Sequence, residues 1–165
     1  MGFMGERDIK ETTWDNELEK EAPEEYINSI LHLLYPGARI KNRRKQKDRI
    51  DWTIYANIDD KTDLHLGETG NICLDEKTLY STDKNLLQLF VNPNKLPGYH
   101  ILIKNTLLNP KDVIKNSIKE EIRTTKTEND EFITKAYIIP IFCIKHAIIS
   151  AYPSTEWWFK PHPSL

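Results

Sequence analysis

Cysteine is scarce in this chain of 165 residues, with only Cys73 and Cys143 present, each within an apolar stretch and neither in a CxxC or other zinc-like spacing. That excludes a disulfide framework or zinc module and leaves free, buried thiols in a reducing cytosol as the expectation. Also missing is any apolar run near the ~18–20 residues that a membrane-crossing helix needs. The opening Met1-Gly2-Phe3-Met4-Gly5-Glu6 has no basic region followed by an apolar core, so a secretory signal is not expected there. It also lacks the Ser or Thr of a myristoylation motif. The histidines (His32, His65, His100, His146, His162) show neither HExxH spacing nor a paired HxT or HxS motif, which removes the common zinc-hydrolase and two-histidine phosphodiesterase signatures.

Charged residues make up 29% and apolar residues 39% of the chain, a globular balance in a length that suits one domain with its own core. The net charge is −2. Residues 1–22 read as an acidic N-terminal helical segment, with Ile9, Trp14 and Leu18 forming a narrow apolar stripe. Pro23, Glu24 and Glu25 suit the first turn of a second helix, carried by Tyr26, Ile27, Ile30, Leu31 and Leu34 and stopped at Pro36-Gly37.

Beyond Ile50 the periodicity changes to two. Trp52, Ile54 and Ala56 alternate with Thr53, Tyr55 and Asn57, as in a strand with one buried face. Short turns at 59–61 and 67–70 bracket a return strand at 64–66, and a further strand is expected over 71–75. Residues 83–91 fit either a short helix or a strand. Residues 99–104 read as a strand. Asn109-Pro110 opens a helix over 110–122, with Val113, Ile114, Ser117, Ile118 and Ile122 on one face. Residues 132–150 read as strands interrupted at Pro140. Residues 151–165 form an aromatic tail containing Trp157, Trp158 and Phe159, which suits either stacking on bases or capping of the core. The expected fold is α+β: a single domain with one mixed, mainly antiparallel sheet flanked by helices.

Charge is concentrated in one place. The run Arg39-Ile40-Lys41-Asn42-Arg43-Arg44-Lys45-Gln46-Lys47-Asp48-Arg49 holds seven cations in eleven residues. Such a run is either a solvated loop between helix and strand or a surface for polyanions, which it attracts by its field and by counterion release. In the second reading Arg43, Arg44, Lys45, Lys47 and Arg49 contact phosphates, and the adjacency of Arg43, Arg44 and Lys45 calls for an anion to relieve their repulsion.

Directly after the run stands Asp51, at the head of a strand, and the strand over 71–75 ends in Asp75-Glu76-Lys77. A helix, a strand with Asp, a turn and a strand ending in D-x-K resembles the PD-(D/E)xK nuclease superfamily over roughly residues 20–80. The resemblance implies a restriction-endonuclease-like core. It also implies Asp51 and Asp75 as ligands to Mg²⁺, which activates a water for attack at phosphorus, and Lys77 as the stabiliser of developing charge. Glu21, Glu24 or Glu25 would complete such a site. The charged Glu76 departs from the family's usual apolar middle residue.

Two functions follow as expectations. The first is a small cytoplasmic Mg²⁺-dependent nuclease (a phosphodiesterase with catalytic Asp51, Asp75 and Lys77), or a catalytically degenerate relative that binds DNA or RNA without cutting. The second is a non-catalytic interaction protein, such as a phage- or mobile-element-type inhibitor or immunity factor. It would engage a protein partner through its acidic N-terminal segment or aromatic tail.

Overall fold

Strand β1 (Phe3–Thr13) opens the fold where the apolar spacing favours a helix. The computed structural model describes residues 3–13, 22–45, 50–58, 71–91, 100–126 and 131–152. The correction at β1 has a tertiary cause. β1 runs between two other strands, antiparallel to one and parallel to the other, so its backbone groups are satisfied on both sides. Its side chains then alternate: Ile9 is fully buried among the core residues, while Asp8 and Lys10 turn the other way. Trp14 and Leu18, which the helical stripe also used, lie outside the described residues.

Helix α1 (Glu24–Leu34) forms where expected. Pro23 precedes it, Glu24 and Glu25 occupy its positive end, and Ile27, Ile30 and Leu31 form its buried stripe. Gly37, at φ +75°, takes the left-handed conformation that turns the chain away. Strands β2 (Arg39–Asn42) and β3 (Trp52–Ile58) follow, and β3 shows the expected alternation, with Trp52, Ile54, Ala56 and Ile58 buried. Then come β4 (Asn71–Asp75), the single-turn helix α2 (Glu76–Leu79), β5 (Leu86–Val91) and β6 (His100–Lys104). The segment that fitted helix or strand is β5, every residue of it buried. A continuous apolar run is what a strand covered on both faces requires.

Helix α3 (Pro110–Asn116) is capped by Asn109, whose side chain accepts the backbone N–H of Lys111 at 3.0 Å. It ends at residue 116, short of the expected 122. Ser117 is extended, and the N–H of Ile118 donates to Ile138 O at 2.8 Å, which starts β7 (Lys119–Lys126). Of the expected helix face, only Val113 is buried, whereas Ile118 and Ile122 are 56% and 69% exposed. β8 (Glu131–Pro140) completes the hairpin and ends at Pro140. Two 3-10 turns, Ile141–Cys143 and Lys145–Ala147, lead to β9 (Ile148–Tyr152).

The strands form two sheets, not the single sheet expected. One has six strands in the order β2-β3-β1-β5-β6-β9, parallel only at β1–β5, and the other three in the order β4-β8-β7. Pro140 and the 3-10 turns make the last of the crossings between them, ending β8 and carrying the chain back to the large sheet at β9. Core lies on both faces of the large sheet. On one face Ile9, Trp52, Ile54, Leu87, Leu89 and Leu102 meet α1. On the other, Phe90, Ile101 and Ile103 meet Ile72, Leu74, Tyr137 and Ile139 of the small sheet. Cys73 and Cys143 form no disulfide and are only half-buried, and Cys143 belongs to a turn rather than a strand.

A buried amide pair ties β5 to the segment after β6. Gln88 donates to Asn105 at 2.7 Å, and Asn105 donates to the carbonyl of Thr78 at 2.9 Å. Asn105→Ala leaves the Gln88 amide and the Thr78 carbonyl buried without the Asn105 side chain, and urea denaturation should show a loss of roughly 2–4 kcal/mol.

Candidate functional site: a polar half-face of the large sheet

The small sheet covers only the β5-β6-β9 half of its neighbour. On the β2-β3-β1 half the same face is polar, and the register sets its rows. Arg39 faces Tyr55, which faces Glu6, and Lys41 faces Thr53, which faces Asp8. Side-chain contacts confirm the shared face. The Arg39 guanidinium lies over the Tyr55 ring at 5.7 Å, and the Thr53 hydroxyl donates to Asp8 at 2.9 Å. Arg39, Lys41 and Glu6 are exposed, and Tyr55 is 44% exposed.

Strand β2 and the turn after it divide the cationic run between two faces. Arg43 goes to the polar half-face, donating to Thr53 at 2.9 Å and standing 3.6 Å from the Asp8 carboxylate. Arg44 goes to the helix side. There its guanidinium forms a two-pronged ion pair with Glu11, donates to Ala22 O at 2.6 Å and lies 4.8 Å from the centre of the Trp52 ring. The Trp52 indole donates to the same Glu11 carboxylate at 2.8 Å. The anions that relieve the adjacent arginines are therefore Asp8 and Glu11, both internal. With its side chain only 10% exposed, Arg44 is committed to the fold and not offered to phosphate. Lys45 is exposed, and Lys47 and Arg49 lie outside the described residues.

The three residues matched to the nuclease pattern are placed as follows. Asp51 stands at the turn into β3. Its N–H donates to Ile9 O at 2.9 Å, and its carboxylate accepts the Glu11 N–H at 2.8 Å. Burial pushes its carboxyl up to about 6 from 3.8, a rise opposed by that hydrogen bond and by the charges of Lys10 and Arg44, and assisted by Glu11. Asp75 ends β4 and caps α2: one oxygen accepts Lys77 N–H at 3.1 Å and the other pairs with Lys10 Nζ at 3.1 Å. Lys77 is exposed on α2, so it does not follow Asp75 along a strand face as the D-x-K reading requires. Glu76 accepts the Tyr137 hydroxyl, which with burial pushes that phenol up to about 12, and it fastens α2 to β8. Glu24 and Glu25 are exposed in the first turn of α1.

These residues do not fit a Mg²⁺ centre. The cation between the strands is Lys10: it pairs with Asp75, donates to the Thr78 hydroxyl and bears electrostatically on Asp51. Both Asp75 oxygens already accept hydrogen bonds, one from the Lys10 ammonium and one from the Lys77 N–H, and the Asp51 carboxylate accepts the Glu11 N–H. Among the described residues, no group of three or more His, Cys, Asp or Glu side chains is placed to hold a metal ion. Concavities of about 120 Å³ beside α3 and about 280 Å³ beside the end of α1 contain none of Asp51, Asp75 or Lys77. His100 is buried against Ser150, and His65 lies outside the described residues.

Sequence reasoning passed over Arg39, Lys41, Tyr55, Asp8 and Lys10 as site residues. One signal was available: Arg39, Lys41 and Arg43 are spaced by two, the period of a strand face. No family model, curated protein or solved structure matches this chain.

Two stability outcomes follow. Arg44→Ala strands the Glu11 carboxylate, whose side chain is 7% exposed, and should cost roughly 3–5 kcal/mol, with Arg44→Ala/Glu11→Leu recovering part of that in urea denaturation. For Asp51, the folded chain holds more protons than the unfolded one between pH 3.8 and about 6, so stability from this group falls as pH rises across that window. Asp51→Asn should therefore raise stability at neutral pH by roughly 1–2 kcal/mol, a gain that shrinks toward pH 4.

Proposed function

We propose that this protein binds nucleic acid without cleaving it, through the polar half-face of β2, β3 and β1. The observation that carries this reading is the exposed row of Arg39 stacked on Tyr55, with Lys41 beside it on the same flat face. Cations at that spacing suit the phosphates of an extended strand, and an exposed aromatic ring already partnered by a guanidinium suits an unstacked base. An exposed row on a sheet face suits single strands, whose bases splay onto a surface. The occupation of Asp75 by Lys10 and the exposed helical position of Lys77 favour binding over cutting.

Fluorescence anisotropy with labelled single-stranded oligonucleotides tests this. Replacing Arg39 and Lys41 together by Gln should reduce the slope of log K against log salt by roughly 0.7–0.9 for each phosphate that is no longer neutralised. Tyr55→Ala should weaken binding by roughly 1–3 kcal/mol while leaving that slope unchanged. Oligonucleotides should stay intact with Mg²⁺ or Mn²⁺. Metal-dependent cleavage that disappears in Asp51→Asn would reinstate the nuclease reading, and absence of binding at low salt would favour the interaction-protein reading.

A further inference from the structure

Asp8 is the carboxylate that faces Arg43 on the polar half-face, and its surroundings come from several elements. From the segment after β2, the Arg43 guanidinium stands 3.6 Å away. From β3, the Thr53 hydroxyl donates to Asp8 Oδ1 at 2.9 Å while accepting from Arg43 at 2.9 Å, so Thr53 couples the two charges. From the turn before β5, the Asp83 carboxyl comes within reach of that of Asp8, a hydrogen bond that forms only when one of the two carries a proton, and the chain there is held by Asp8 N–H donating to Asn85 O at 3.0 Å. Glu6, on β1 itself, adds a second negative charge. The Asp8 side chain is 17% exposed and that of Arg43 22%, so neither charge is fully screened by water.

We propose that Asp8 is an acid-operated switch on the polyanion-binding face: by taking up a proton it stops competing with bound phosphate for Arg43, and binding tightens as pH falls. The proposal rests on the nucleic-acid reading above. The proton comes from solvent and has a defined place, because a protonated Asp8 donates to the Asp83 carboxylate while still accepting from Thr53. Protonation therefore removes a negative charge from the face without leaving a buried polar group unpartnered. The carboxyl is already poised for this. Burial and the hydrogen bond to Asp83 push it up to about 6, against the lowering effect of Thr53, with the charges of Asp83 and Glu6 adding to the rise.

The test uses the full chain and a dye-labelled oligothymidylate of about twenty nucleotides, because thymine does not titrate near neutral pH. Wild-type protein should bind it roughly three- to tenfold more tightly at about pH 5 than at about pH 7.5 at fixed salt. Asp8→Asn should bind at about pH 7.5 as wild type does at about pH 5, with little pH response left. Arg43→Gln should also flatten the response, because Asp8 acts through it. Carbon NMR of the wild-type Asp8 carboxyl supplies a measurement independent of any variant folding. Its midpoint should lie near 6 and rise when the oligonucleotide saturates the protein, as linkage requires. A midpoint near 4, or an Asp8→Asn variant that keeps the wild-type response, overturns the switch and assigns any pH effect to groups such as the exposed His32 and His146. Binding by wild type that does not change with pH overturns the switch alone, whereas no binding at either pH overturns it together with the nucleic-acid reading.

Discussion

The ion pair between Arg44 and Glu11, shared with the Trp52 indole, fixes the corner on which the rest of the fold is arranged. It joins the turn after β2, the end of β1, the start of β3 and, through Ala22 O, the approach to α1. A buried charge pair adds little net stability, since desolvation offsets most of its attraction, but removing one partner is costly. Its consequence here is directional. Alternation along β2 puts Arg39 and Lys41 on the face opposite Ile40, Arg43 joins them there, and the turn that follows carries Arg44 to the helix side.

That arrangement gives the large sheet two unlike halves. Behind β5, β6 and β9 the face is apolar and covered by the small sheet, while behind β2, β3 and β1 it is charged and partly open. Lys10 stands at the boundary. From β1 it reaches across to Asp75 and Thr78, and so docks the small sheet against the large one. Burial pushes the carboxyls of Asp8 and Asp51 up to about 6, which leaves the charge of this region sensitive to pH just below neutrality.

The differences between sequence pattern and structure share a cause. Residues 119–122 continue a helical spacing of apolar side chains, yet pairing with β8 draws them into β7 and leaves Ile122 exposed. Residues 6–13 carry too few apolar side chains to read as a strand, yet β1 is the centre of the large sheet because its charged side chains find partners on both faces. The fate of such segments depends on the strand beside them, which periodicity within one segment does not report. The candidate site was legible in the same partial way. Asp51 and Asp75 were visible as carboxylates at strand ends, but their hydrogen-bond partners Glu11 and Lys10 come from a segment far away in sequence.

By itself the sequence determined α1, the buried alternation of β3 and the capped start of α3, because each follows from local stereochemistry: a proline and acids at a positive helix end, side chains alternating along a strand, and an asparagine accepting free N–H groups. It also determined the α+β class and where positive charge is concentrated. Only the tertiary structure decided which cations face outward and which are consumed internally, that Lys10 stands between two candidate metal ligands, and that Pro140 hands the chain from one sheet to another. Those outcomes depend on long-range pairing and on burial, and both become defined only when distant segments exclude water together.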